Sequence, residues 1–269
     1  MGKFNTRAFW SVYAFVFAVC GGCTTVVVLP VEHDAEFRRG EVAYLKGDYI
    51  GASGAFSDYV RRQTNPAAIA EGLYWQGMCR LARREFETAA ELFEKSLSEQ
   101  VAEKWVIASA LSGLGAAHMG RGKFDDASKA YIRVLETGGD DIRRAWVLFR
   151  LGLCFQRTGQ WEKAEGTFSR VLKEMPDSQF AEQALEQIDY GKDKVFCVQV
   201  GAYEGEQAAG KRATELNEMG LEAYVKKIVR AGKPLYCVRI GKFSEWAEAN
   251  VELNRLRGME RIDDAIVKP

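Results

Sequence analysis

The sequence predicts a multidomain chain with two architectures in series. An all-α array of helical repeats comes first, and a small α+β domain of order βαββαβ follows. Three observations carry that prediction. One ten-residue phrase recurs four times between residues 36 and 190. Beyond residue 194 the apolar period shortens from about 3.6 residues to about 2, the change from helix to strand. Finally, a strand-like phrase, FCVQVGAY (196–203), is echoed by YCVRIGKF (236–243).

The amino terminus reads as a targeting segment. Lys3 and Arg7 precede the apolar run AFWSVYAFVFAV (8–19), which has the length of a signal-peptide core. The next residues are CGGC, and the pair Gly21–Gly22 before Cys23 resembles the bacterial lipobox. That resemblance implies a signal peptide over 1–22, a lipid on Cys23 and a tether over 23–35. Cys20 departs from the pattern, which usually has an aliphatic residue there. A second reading is an uncleaved anchor, because residues 8–30 carry no charge and are long enough to span a bilayer. Either way the rest of the chain is expected outside the cytoplasm, since Glu32, Asp34 and Glu36 follow the apolar run and the basic residues precede it. Thr24 is not the Asp associated with inner-membrane retention in some bacteria, so the outer membrane is the expected site of anchoring, on the periplasmic side.

Lys+Arg and Asp+Glu number 37 each, so no global charge recruits nucleic acid. Four cysteines, Cys79, Cys154, Cys197 and Cys237, lie beyond the targeting segment, and none has metal-site spacing. Neither a metal nor a cofactor is expected.

The recurring phrase is GDYIGASGAF (47–56), REFETAAELF (84–93), GKFDDASKAY (122–131) and GQWEKAEGTF (159–168). Each copy has an aromatic at its third position, Ala at its sixth and an aromatic at its tenth. The alanines, Ala52, Ala89, Ala127 and Ala164, are spaced by 37, 38 and 37 residues, and a glycine stands twelve before each: Gly40, Gly77, Gly115 and Gly152. This pattern resembles the tetratricopeptide repeat, two antiparallel helices per unit, and it is clearest over 111–131 and 148–168. The family repeat is about 34 residues, so helices or turns here are longer by about one turn. The glycines and alanines belong where helices approach closely, and the aromatics are expected to fill the gap between neighbouring units. Cys79 and Cys154 fall two places after their unit's glycine and read as small buried residues. His118 reads as structural or groove-lining. The segment 180–188 places Phe180, Ala184, Leu185 and Ile188 at helical spacing, a helix to cap the array. The array's concave groove is expected to hold a protein partner, whose identity nothing in the sequence gives.

YGKDK (190–194) ends the helical pattern. Strands are expected at 195–202, 222–229, 235–241 and 263–268, with helices at 205–219 and 245–257 and Ser244 as a candidate N-cap. The result is an antiparallel sheet with both helices on one face. This segment, 195–269, resembles the SPOR (sporulation-related repeat) domain. The resemblance rests on Phe196, Val198, Gln199, Val200, Gly201 and Tyr203, then Tyr236, Val238, Arg239, Ile240, Gly241 and Phe243, and on DAIVK (264–268) as closing strand. Lys242 stands where the family often has Pro, a departure confined to a loop. The resemblance implies binding to peptidoglycan, especially to glycan strands stripped of stem peptides.

Strict alternation puts Val198, Val200, Val238 and Ile240 towards the helices. It leaves Gln199, Tyr203, Arg239, Phe243 and Tyr224 on the open face, with Cys197, Cys237 and Lys226. Aromatic rings suit the apolar faces of sugars, and Gln and Arg suit their hydroxyl and acetamido groups, so these five residues are the candidate glycan-binding set, Gln199 foremost. Sheets of this topology can also read RNA, but 195–269 holds 12 Lys+Arg against 11 Asp+Glu, only +1, and lacks the basic-aromatic signature. Pairing Gln199 with Arg239 would place Cys197 beside Gly241, about 13 Å from Cys237, too far for a disulfide.

The expected whole is a non-enzymatic peptidoglycan-binding envelope lipoprotein, scaffolding a partner near the division site or in wall remodelling. In a second reading the repeats act chiefly in envelope or outer-membrane assembly, and wall binding only localises them. No catalytic motif supports a glycan hydrolase.

Overall fold

The computed structural model describes residues 34–99, 102–138, 141–230, 232–259, 262 and 265–269. The expected signal peptide, Cys23 and the tether as far as residue 33 lie outside the described residues.

The repeat array consists of α1 (Ala35–Leu45), α2 (Tyr49–Arg62), α3 (Pro66–Ala82), α4 (Phe86–Ser98), α5 (Lys104–Gly120), α6 (Phe124–Glu136), α7 (Asp141–Arg157), α8 (Trp161–Glu174) and α9 (Ala181–Gly191). The extra length over the family repeat is visible in α3, α5 and α7, each 17 residues. Every odd helix of the first four pairs ends in the same way. The residue two places past the helix takes positive φ: Gly47 (80°), Arg84 (61°), Gly122 (73°) and Gly159 (70°). The following N–H then reaches back to the carbonyl of the helix's third-from-last residue, Asp48 to Ala43 at 3.0 Å, Glu85 to Arg80 at 2.9 Å, Lys123 to His118 at 2.9 Å and Gln160 to Phe155 at 2.8 Å. This is the Schellman closure, and it turns the chain sharply into the next helix.

The phrase aromatics explain the glycines. A Cβ on Gly40, Gly77, Gly115 or Gly152 would lie 2.7, 2.7, 2.7 or 2.5 Å from a ring carbon of Phe56, Phe93, Tyr131 or Phe168. Each tenth-position ring therefore lies on the glycine of its own unit, rather than only between units as expected. Phe93 does both, since a Cβ on Gly113 of the next unit would meet it at 2.4 Å. All four rings are buried, and burying each contributes about 1.5–3 kcal/mol. Buried clusters run from helix pair to helix pair, one across α1–α3, another across α3–α6, a third across α5–α7 and a fourth across α7–α9. In α9 the cap is made by Ala184 with Phe180 and Ile188, whereas Leu185 is 58% exposed and contributes nothing to it.

The second architecture is β1 (Phe196–Tyr203), α10 (Glu206–Glu218), β2 (Ala223–Arg230), β3 (Lys233–Phe243), α11 (Trp246–Arg257) and β4 (Ile266–Lys268). The strand order is β2-β3-β1-β4, and every neighbouring pair is antiparallel. Residues 263 and 264 of the expected last strand lie outside the described residues. Ala209, Ala213 and Leu216 of α10 and Ala249, Leu253 and Leu256 of α11 pack on Val198, Val238 and Ile240. The N-cap of α11 is Glu245 rather than Ser244. Glu245 and Glu248 form a reciprocal capping box, and the Ser244 hydroxyl donates to Glu248 at 3.2 Å.

Candidate functional site

A polar row crosses the sheet on the side away from α10 and α11. Tyr224 of β2 pairs with Arg239 of β3, Arg239 with Gln199 of β1, and Gln199 with Ile266 of β4. The expected partnership of Gln199 and Arg239 is thus present. Cys237 stands opposite Ala202, far along the ladder from Cys197, and all four described cysteines are thiols.

Strict alternation fails at the ends of β1 and β3, and two of the five candidate residues change face. Gln199 pairs with Arg239 but Gly201 pairs with Val238, so Val200 is the extra residue of a β-bulge. Beyond it, Tyr203 stands opposite Tyr236, and both pack on the cluster beneath the helices. In β3 the pairing passes from Ile240 opposite Val198 to Phe243 opposite Phe196, with Gly241 at φ 68° in the irregular step. Phe243 therefore packs on the helix-side cluster as well. The signals for this correction are the glycines, each three residues beyond its strand's Val198 or Val238. A Cβ on Gly201 would meet the Tyr203 ring at 2.8 Å, and one on Gly241 would meet the Phe243 ring at 2.5 Å. The glycines make room for the returning aromatics.

The remaining three candidates stay together, yet their face is not open. Arg239 is only 2% exposed, and Cys197 and Cys237 are fully buried. Tyr190, near the end of α9, lies over this side of the sheet. It packs with Ile228, Leu235 and Cys237, 5.4 Å from the Arg239 guanidinium carbon and 4.9 Å from Lys268 Nζ. Just beyond α9, Asp193 accepts from Lys226 Nζ of β2 at 2.6 Å. That contact holds the Asp193 carboxyl below its ordinary range. Arg239 Nη1 donates to the Pro269 carbonyl at 3.3 Å, whereas Nε and Nη2 are buried with no partner among the described residues. Gln199 Oε1 is in the same position. Burial pushes Tyr224 up to about 12, with the neighbouring Cys197 adding to the rise. Among the described residues of this domain, the buried side-chain polar atoms without a partner are those of Gln199 and Arg239.

On the helix side of the sheet the array and the sheet domain meet through aromatic contacts. Trp161 of α8 lies 4.9 Å from Phe196, and the Arg157 guanidinium stands 3.0 Å over the Trp246 ring. Burial pushes Arg157 down to about 9, so it remains charged at neutral pH and its stacking on the indole partly offsets lost hydration.

The array has its own groove, a cavity of about 380 Å³ lined by Tyr74 and Met78 of α3, Ser109 and Gly113 of α5, and Arg143 and Trp146 of α7, with Phe180 at one side. Ser109 and Arg143 lie at the Tyr74 hydroxyl, and burial raises that hydroxyl's pKa. His118 is outside this groove, beside α4 and α6, with Nδ1 buried. Burial pushes Cys79 up to about 11 and Cys154 up to about 12, so neither is a nucleophile at neutral pH. Among the described residues no cluster of His, Cys, Asp and Glu could hold a metal, and no helix is long and apolar enough to cross a membrane.

A repeat scaffold is thus joined to a small sheet that carries one buried polar row. Comparison with known families makes the class specific. Residues 192–268 match the SPOR domain, and residues 37–102 and 106–173 match tetratricopeptide repeats. The chain carries tetratricopeptide repeats followed by a SPOR domain, the first a protein-binding scaffold and the second a peptidoglycan-binding module of the cell envelope. Among curated proteins none matches the chain. Of solved structures, a crystal structure of MamA is 21% identical, with 61% of this chain and 88% of that chain aligned at a TM-score of 0.50, which shows the repeat fold. A tetratricopeptide repeat protein from Parabacteroides merdae is 17% identical, with 68% of this chain and 66% of that chain aligned at a TM-score of 0.49.

Proposed function

We propose that the chain is an envelope lipoprotein that grips peptidoglycan glycan strands, preferentially those stripped of stem peptides, through the row Gln199, Arg239 and Tyr224. A lipid on Cys23 would hold it to a membrane, the outer one, with the domains on the periplasmic side. The groove lined by Tyr74, Arg143 and Trp146 would hold a protein partner, and the site of action would be the division site or a zone of wall remodelling. Tyr203 and Phe243, which pack beneath the sheet, are assigned to holding the strands rather than to sugar contact.

The observation that carries this reading is the row itself. Its side chains present a guanidinium fork, an amide and a phenol on one line across three strands, and Nε and Nη2 of Arg239 and the Gln199 carbonyl have no hydrogen-bond partner among the described residues. A polymer offering hydroxyl and acetamido groups would satisfy them. Gln199→Ala should weaken co-sedimentation with purified sacculi by about tenfold, the value of one well-made hydrogen bond of about 1–1.5 kcal/mol. Unchanged binding by a folded Gln199→Ala protein contradicts the assignment.

A further inference from the structure

We infer that Tyr190 is an intramolecular stand-in for the ligand, so that α9 and the following Asp193 close the polar face of the sheet and glycan must displace them. This rests on the glycan-binding reading of that face. Tyr190 supplies what a sugar ring would supply, a flat apolar surface against the Arg239 guanidinium, at 5.4 Å. It differs in what it cannot supply. With Tyr190 in place, Nε and Nη2 of Arg239 remain buried without a hydrogen-bond partner among the described residues, as does Gln199 Oε1. A buried donor or acceptor left unmade is destabilising, so the closed arrangement is intrinsically replaceable by a ligand that carries acceptors for Arg239 and a donor for Gln199.

The closure is local. On the sheet its contacts include the small cluster of Ile228, Cys237 and Leu235, the cations of Arg239 and Lys268 over the Tyr190 ring, and one exposed ion pair, Asp193–Lys226 at 2.6 Å. The opposite side of the sheet is held separately, by Trp161 on Phe196 and Arg157 on Trp246. Lifting Tyr190 therefore need not detach the sheet domain from the array. Because Tyr190 belongs to the helix that caps the repeats, a partner that shifts α9 would also change access to the glycan face.

The test uses the full-length protein and its own cysteines. Cys237 is buried against Tyr190 and Cys197 is buried near Arg239 and Asp193, whereas Cys79 and Cys154 are buried within the array. Alkylation would be followed residue by residue in wild type, Tyr190→Ala and Asp193→Asn, alongside co-sedimentation with amidase-treated sacculi. The expected result is faster labelling of Cys197 and Cys237 in both variants, no change at Cys79 and Cys154, and tighter binding to sacculi. For Tyr190→Ala the gain in apparent affinity should be about fivefold or more, because affinity scales with the fraction of molecules already open. Labelling of Cys197 and Cys237 at the wild-type rate overturns the closure. Faster labelling with unchanged or weaker binding overturns its inhibitory role. Faster labelling with no binding by wild type or either variant overturns the glycan reading of the face, and the stand-in role with it.

Discussion

Arg84 occupies a position that three sister units give to glycine. Its φ of 61° matches those of Gly47, Gly122 and Gly159, and like them it closes a helix by a Schellman turn. A non-glycine residue in this region is strained by about 1–2 kcal/mol. Arg84→Gly should therefore stabilise the protein by about 1 kcal/mol, measured as a rise in the midpoint of urea unfolding at constant slope. A fall would show that the arginine side chain, whose guanidinium lies 5.9 Å from the Phe86 ring, matters more than the backbone. At the same scale, the pairing of Gln199 with Arg239 was legible from the two echoing phrases alone. The faces of Tyr203 and Phe243 were not read correctly, because alternation holds only while each residue has one partner. A single extra residue, Val200, reverses everything after it.

At the scale of the element, the phrase that marks each repeat proves to be a packing rule. Its tenth-position ring needs a hydrogen where another residue would carry Cβ. Gly152→Ala should force the buried Phe168 ring to shift, lowering stability by about 1–3 kcal/mol. Gly166→Ala is the matched control. It lies in α8 with nothing within 4 Å of the added carbon, and it should stabilise by about 0.5–1 kcal/mol through helix propensity alone. Thermal unfolding of the two proteins side by side checks both signs. Helices, turns and repeat period were legible because each is fixed by neighbours in sequence or by the same residue types recurring at one interval. The edge of α9 was not. Its Leu185 reads as a buried position by spacing, yet it is exposed, while Tyr190 reads as the start of a break and is instead buried against a sheet.

At the scale of the molecule, the array and the sheet domain are joined by more than a linker. Trp161, the third-position aromatic of the last repeat phrase, packs on Phe196 and the sheet cluster, so one repeat residue serves both domains. Trp161→Ala should lose about 2–4 kcal/mol and split unfolding in scanning calorimetry into two transitions, the sheet domain melting first. A single transition merely shifted to lower temperature would mean that the two units stay coupled without it. This joint, and the closure by Tyr190 on the other side of the sheet, could not be read from sequence. Both bring together residues that obey the pattern of their own domain and meet only in the assembled fold.

Co-sedimentation of the full-length protein with sacculi, before and after amidase removal of the stem peptides, tests whether this chain recognises bare glycan. More protein should bind per mass of treated sacculus than of untreated sacculus. Equal or lower binding to the treated sacculi, or none to either, would contradict it.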